Sequence, residues 1–276
     1  MGFRMRRYKR LVFALICATP LAASTQVPPL EPATASLRYD ASIGVLPLGH
    51  MFVNIHETPL HYDMKIDTKS QGLVDVFAPI KSVAQVDGHR DETGNYVPHD
   101  YHSFNDRDGE IHDKKIHLTY GDTGHLASRE RNPDDDPNWR PPVPAADVGT
   151  AADPITGFLQ HRRLLHDAMA NERHDASVTT YDGARLAGIH FHVVSPARIE
   201  IMGKYVDAIN TVITRHPIAG YTPKELKKFN QGDPVMHVYF SADGRLMPLM
   251  MTIDLTFGEV KIVLTKDETP SLTEAK

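Results

Sequence analysis

"HMFVNIHETPLHYDMKID", residues 50–67, decides the fold class. Met51, Val53 and Ile55 alternate with polar residues, and after the short interruption at Thr58-Pro59 so do Leu60, Tyr62, Met64 and Ile66. Side chains on a strand point to opposite faces in turn, so a period of two marks a strand with one dry side and one wet side. Two such runs across a short loop predict a hairpin.

The same rhythm extends in both directions. Upstream, "LRYDASIG" places Leu37, Tyr39, Ala41 and Ile43 on one face. Downstream, "IKSVAQV" runs to Asp87-Gly88, "KKIHLTY" to Gly121, and "SVTTY" to Asp182-Gly183. "VMHVYF" leads through Ala242-Asp243-Gly244 into "LMPLMMTIDLTF", and Gly258 separates that run from "EVKIVLT". Asp-Gly between alternating runs favours a hairpin, because glycine takes the positive φ of the turn. The spacing predicts about a dozen strands in one mainly-β domain. With no helix between most of them, the sheet is expected to be antiparallel.

Two helices interrupt the strands. "DPITGFLQHRRLLHDAMAN" opens with Asp153 as N-cap and Pro154 at the first helical position, where a missing N–H costs nothing. Phe158, Leu159, Leu165 and Met169 make its apolar stripe. "TPKELKKF" has Thr222 and Glu225 at capping-box spacing. The prolines of "NPDDDPNWRPPVPAADVG", residues 132–149, predict a long exposed connection without regular structure. A long antiparallel sheet with one apolar face must cover that face. It can curl into an open or half barrel, with the two short-to-medium helices packed on it or plugging it.

The N-terminus carries an address. Arg4, Arg6, Arg7, Lys9 and Arg10 precede the short apolar core "LVFALICA", and Pro20 comes before "LAAS". This is the layout of a cleavable Sec-type signal peptide, residues 1–24, too short to span a bilayer permanently. Cleavage is expected after Ala23 or Ser24, with Ala33-Thr34-Ala35 as a later alternative. Lys9 and Arg10 stand where a twin-arginine signal is apolar, and Ile16 precedes Cys17 where a lipoprotein needs a small residue. The expected product is a periplasmic protein without a lipid anchor. Residues 25–36 read as a flexible lead-in, 37–265 as a single curved β domain, and 266–276 as a disordered tail.

Removing the peptide takes away the only cysteine, and with it any disulfide or thiolate nucleophile. It also leaves 25 Lys+Arg (30 less the five above) against 35 Asp+Glu, a net charge of −10. Such a surface disfavours nucleic acid as a partner.

Sixteen histidines invite a metal reading. In "YDGARLAGIHFHVV", residues 181–194, His190 and His192 share a face, but a zinc site needs three or four converging ligands. His99 with His102, and His112 with His117, have other spacings, and no H-E-x-x-H motif is present. His190 and His192 are therefore read as the wet face of a strand, with Ile189, Phe191 and Val193 inward, and no metal or other cofactor is assigned. Asp134, Asp135 and Asp136 lack the alternating ligands, glycine and distal glutamate of a calcium loop. His161, Arg162, Arg163 and His166 read as a solvated cationic helix face. Met236, Met247, Met250 and Met251 suit an irregular core or an adaptable apolar site. There is no G-x-S-x-G elbow and no phosphate-cradling glycine motif. No catalytic residue is assigned, and the expectation is a protein that is not an enzyme.

Several stretches together resemble a known family. They are "YDASIGVLPLG" (39–49), "GLVDVF" (72–77), "VPHDY" (97–101), "DPITGFL" (153–159), "YDGARL" (181–186), "HPIAGYTPKE" (216–225) and "LMPLMMTIDLTFGEVKIVL" (246–264). Their order and spacing resemble the family catalogued as domain of unknown function 3108, found in exported proteins of Gram-negative bacteria, over residues 37–265. The resemblance implies a curved half-barrel similar to lipoprotein carriers, in which a helix plugs an apolar concave face able to hold acyl chains. It implies no activity and no catalytic residues. Relatives with cysteines near the YDG strand differ from this chain, which has none there.

Three functions compete at this level. One is a periplasmic binder of a lipidic or apolar ligand or of a lipoprotein, with peripheral membrane contact. Another is an envelope scaffold that docks a protein partner through its acidic surface or the 132–149 loop. The third is a metal-dependent enzyme built on clustered histidines. Nothing in the sequence speaks to the oligomeric state.

Overall fold

The structure is a computed structural model that describes residues 30–72, 79–107, 114–230, 232, 235–255 and 258–268. The expected signal peptide with Cys17, the start of the expected lead-in, most of "GLVDVF", His112 and the end of the tail lie outside the described residues.

The chain runs β1 (Thr34–Ile43), β2 (Leu46–Glu57), β3 (His61–Ser70), β4 (Ile80–Arg90), β5 (Tyr96–Arg107), β6 (Lys114–Tyr120) and β7 (Leu126–Asn132). Helices α1 (Ala145–Val148) and α2 (Pro154–Ala170) follow. The second half is β8 (Asp175–Tyr181), β9 (Leu186–Ile201), β10 (Lys204–Ala219), α3 (Pro223–Asn230), β11 (Met236–Ser241), β12 (Pro248–Leu255) and β13 (Gly258–Asp267). All strands join one antiparallel sheet in the order β7-β6-β5-β4-β3-β2-β1-β13-β12-β11-β10-β9-β8. It is two meanders sewn together where the first strand meets the last, and it does not close into a barrel.

Curvature brings distant parts together. β9 and β13 are four strand spacings apart, roughly 19 Å on a flat sheet, yet they touch. The free edges, β7 and β8, also approach each other. Gly149 accepts from Leu126 N of β7, and Ala152 bonds Thr179 and Tyr181 of β8 as a parallel bridge. Three peptide steps separate these anchors, at most about 11 Å of chain. Arg129 of β7 adds a bond of 2.9 Å to the Gly183 carbonyl in the β8–β9 turn.

The inner rows carry the core. Leu37 and Tyr39 of β1, Val53 and Ile55 of β2, Tyr62 and Met64 of β3 and Leu264 of β13 are buried, as the alternation predicts. α2 lies across this face with Leu159 and Leu165 fully buried. Asp153 caps it by accepting from Ile155 N at 2.9 Å and Thr156 N at 3.0 Å. The capping box of α3 forms as expected, Thr222 N to Glu225 Oε2 at 2.8 Å and Glu225 N to Thr222 Oγ1 at 3.2 Å.

Four sequence expectations need correction. Residues 34–36 are the start of β1 rather than lead-in, held because Ala33 and Ala35 are buried against the core. β13 continues to Asp267, two residues beyond the expected end of the domain. Asp87-Gly88 is no turn but lies inside β4, which turns only at 91–95. Glycine is needed at 88 because a Cβ there would run into the Val97 carbonyl oxygen and meet the Tyr62 ring at 2.6 Å. Finally, the 132–149 connection holds the one-turn helix α1, and it is pinned rather than free. Arg140 is buried and bonds Asp135 at 2.6 Å, Gly220 O at 2.6 Å and both Glu225 oxygens at 2.9 and 3.0 Å.

Candidate functional site

Two polar regions stand out, one on each face of the sheet. On the inner face, α2 presents Arg162 where an apolar residue would be expected, between Leu159 and Leu165 at helical spacing. β2 presents Glu57 on the same dry parity as Val53 and Ile55. The two side chains meet at 2.6 Å, both 0 % exposed. Such a pair survives burial only if its remaining hydrogen-bonding groups are satisfied. Here Arg162 also donates to Arg245 O at 2.7 Å and Glu31 O at 2.6 Å, while Glu57 accepts from Ala33 N at 2.8 Å and the Tyr96 hydroxyl at 3.2 Å. The expected solvated cationic helix face is thus corrected. Arg162 is a core residue, and His161 is buried and stacked on Phe191 at 3.8 Å.

Burial sets the protonation of this helix. Deprived of solvent, His161 is pushed down to about 3. Asp153 is fully buried, with one carboxyl oxygen bonded to the helix N–H groups and the other without a partner among the described residues. Burial raises it to about 6, against the pull of those bonds. Around it, burial and then the Asp153 charge push the Tyr62 and Tyr120 phenols upward.

Beyond the plug, toward the β1–β2 turn, the inner rows change character. Met51, Ile66, Ala84, Ile116 and Ile262 are only half-buried although they continue the apolar face. Of the four methionines singled out by sequence, Met247 is buried in the main cluster, whereas Met236, Met250 and Met251 are half-buried at its margins.

The outer face carries histidines and carboxylates in cross-strand pairs. His190 and His192 point outward and share Asp175 of β8, whose Oδ1 lies 3.2 Å from His190 Nε2 and 2.9 Å from His192 Nδ1. Those bonds hold the Asp175 carboxyl below its usual value. A second group was invisible to spacing. His102 of β5 is the register partner of His117 on β6, and the two rings stack at 4.0 Å. His117 Nε2 donates to Asp100 at 2.8 Å. A bulge places them, since Gly88 pairs with Pro98 and Asp87 with Asp100, leaving His99 as the extra residue. It lets Tyr96 and Tyr101, five apart, both face the core, and sets His99 2.8 Å from His89. His99 and His102 therefore belong to different groupings. The acidic triplet does not converge: Asp134 pairs with Arg129, Asp135 with Arg131 and Arg140, and Asp136 accepts from Asn138 N.

Comparison with known proteins supports the architecture. A beta-barrel-like protein of domain of unknown function DUF1849 from Brucella abortus superposes with a TM-score of 0.52 at 13% identity, covering 88% of this chain and 99% of its own. That likeness shows the fold alone. A chain from Parabacteroides distasonis described as a candidate lipoprotein reaches a TM-score of only 0.34 at 9% identity, covering 88% of this chain and 98% of its own. No curated protein matches the sequence. A family model, "Protein of unknown function (DUF3108)", matches residues 38–265. These residues take in every strand but the ends of the first and last, so the chain belongs to the DUF3108 family.

Proposed function

We propose that the protein is a non-enzymatic binder of the bacterial periplasm, exported by its N-terminal peptide, that takes an acyl-chain-sized apolar ligand or the acyl end of a lipoprotein. One observation carries this reading: the inner face is plugged at one end and half-buried but still apolar at the other, around Met51, Ile66, Ile116 and Ile262. Apolar surface left only partly covered gains when an apolar ligand completes its burial. The plug is held by Arg162 and Glu57, so the ligand lies beside α2 rather than replacing it. Among the described residues no helix is long and apolar enough to cross a membrane. A binding role rather than catalysis rests on the sequence, which carries no nucleophile elbow or phosphate-cradling motif.

Native mass spectrometry of the mature protein taken from a periplasm tests the proposal. A bound mass of lipid size, lost in Met51→Glu and Ile66→Glu variants that still fold, is expected. A protein that arrives free of ligand and ignores added fatty acid would end this reading.

A second reading, partner docking, is favoured by Trp139. It is 54 % exposed on the pinned 132–149 loop and stacks against Arg140 at 5.0 Å. A rigid exposed tryptophan is a common anchor of protein interfaces. Loss of a co-purifying envelope protein on Trp139→Ala, with lipid binding intact, would select this role.

A further inference from the structure

We propose that Asp100, His102 and His117 form a binding site for a divalent transition-metal ion of the zinc type, on the outer face of β5 and β6. The site is separate from the apolar inner face. One ligand atom from each residue lies within 4.8 Å of the other two. Zinc holds nitrogen and oxygen donors at about 2.0–2.2 Å, so two donors on one ion sit roughly 3.3 Å apart. Asp100 and His117 Nε2 are already at 2.8 Å. Small rotamer changes in exposed His102 would complete the set.

The surroundings match what metal-bound imidazole requires. A ligating histidine normally gives its other ring nitrogen to a carboxylate, which fixes the ring and raises its basicity. His117 presents Nε2 to Asp100 and Nδ1 to Glu130 of β7, 3.9 Å away. Thr119 Oγ1 lies 3.4 Å from Asp100 and 3.3 Å from His117 Nε2. Asp87, the register partner of Asp100 on β4, brings a further carboxylate to the same face. Access is open through a groove of about 620 Å³ lined by Gln85, His102, Phe104, Lys115, His117 and Glu130. Two imidazoles and one carboxylate select zinc, copper, nickel or iron over magnesium or calcium, and leave a position for water.

Comparison with Asp175, His190 and His192 sharpens the choice. There one carboxylate oxygen accepts from both rings, and β8 is a sheet edge with no further strand among the described residues to bring a supporting carboxylate on that side. At Asp100, strands on both sides contribute.

The experiment titrates the chelator-stripped mature chain with Zn²⁺ by calorimetry and follows Co²⁺ substitution by absorption. One ion per chain is expected, with the visible Co²⁺ bands of a low-coordinate site. H102A, a change at an exposed position, and H117A should each weaken binding by ~100-fold, and E130Q by ~10-fold, the range for ligand-supporting groups. The H190A/H192A double variant should bind as the parent does. Melting temperatures of the metal-free variants identify any that misfold, and H102A and E130Q suffice if H117A does. Unchanged affinity in H102A, loss of binding in H190A/H192A, or equal affinity for Mg²⁺ would each overturn the proposal.

Discussion

On the inner face, Glu57 and Arg162 are sealed from water and each has further hydrogen-bond partners; on the outer face, Asp175 holds His190 and His192 where the three side chains are 41–58 % exposed. Both are acid–base contacts of similar length, yet their environments make them different objects. A charge inside cannot fall back on water when its partner is removed, so the inner pair fixes the position of α2. A charge outside is resolvated at once, so the outer contact contributes little to stability.

The largest effect should come from breaking the inner pair. Arg162→Met leaves Glu57 buried and unpaired and should destabilise the fold by about 3–5 kcal/mol in urea denaturation. Adding Glu57→Leu should restore only part of that loss, because it removes the unpaired charge but leaves Ala33 N–H, the Tyr96 hydroxyl and the Arg245 and Glu31 carbonyls without these partners. A single variant as stable as the parent would mean that α2 is not held by this contact.

Next comes Asp153, whose carboxyl is raised from 3.8 to about 6. A raised folded-state value stabilises fully below 3.8 and loses that contribution as pH rises through 6. At pH 7 the buried charge is therefore a cost. Asp153→Asn keeps a good N-cap and should raise stability by about 1–3 kcal/mol at pH 7. The gain should vanish below pH 4, which thermal melts at the two pH values would show.

His161, one face of the same helix away, has the opposite sign. Its value falls from 6.5 to about 3, so its contribution is present above 6.5 and is lost as pH drops through 3. In the parent, acidification thus helps Asp153 while it penalises His161, and the two largely offset. His161→Phe removes the penalty and keeps the stack on Phe191. Relative to the parent, this variant should gain about 1–2 kcal/mol between pH 7 and pH 5. Parallel pH profiles for the two proteins would refute that assignment.

The smallest effect belongs to the outer face. Asp175→Asn should leave the melting temperature unchanged at neutral pH, since the carboxylate and both imidazoles stay hydrated. A clear loss there would erase the contrast between the two faces.

Much of the sheet is legible because its dry rows repeat. β1, β2, β3 and β6 carry apolar residues at every second position, and the structure turns those rows inward, burying them beside α2 and half-burying them toward the β1–β2 turn. β7 reads as no strand because it is an edge with few apolar positions, and β5 because its bulge at His99 breaks the alternation. β10 is masked in a similar way, by the register shift at Asn210 and by Pro217 near its end. The inner ion pair did leave a trace, a glutamate on the dry parity of β2 and an arginine in the dry stripe of α2. One stray charge on each buried face is a signal that the two will meet. His102 and His117 left none, since nothing in their spacing announces the pairing of their strands.

The sequence alone determined the alternating strands, the caps of α2 and α3, the basic-apolar head and the family. Each depends on residues close along the chain, where the pleat, the first turn of a helix or a short motif sets the rule. Tertiary structure alone decided that Glu57 meets Arg162 across 105 residues, that the edges nearly close, and that Asp100, His102 and His117 share one patch. Those facts depend on register, bulges and curvature, which are fixed only when the whole sheet curls and buries its inner face.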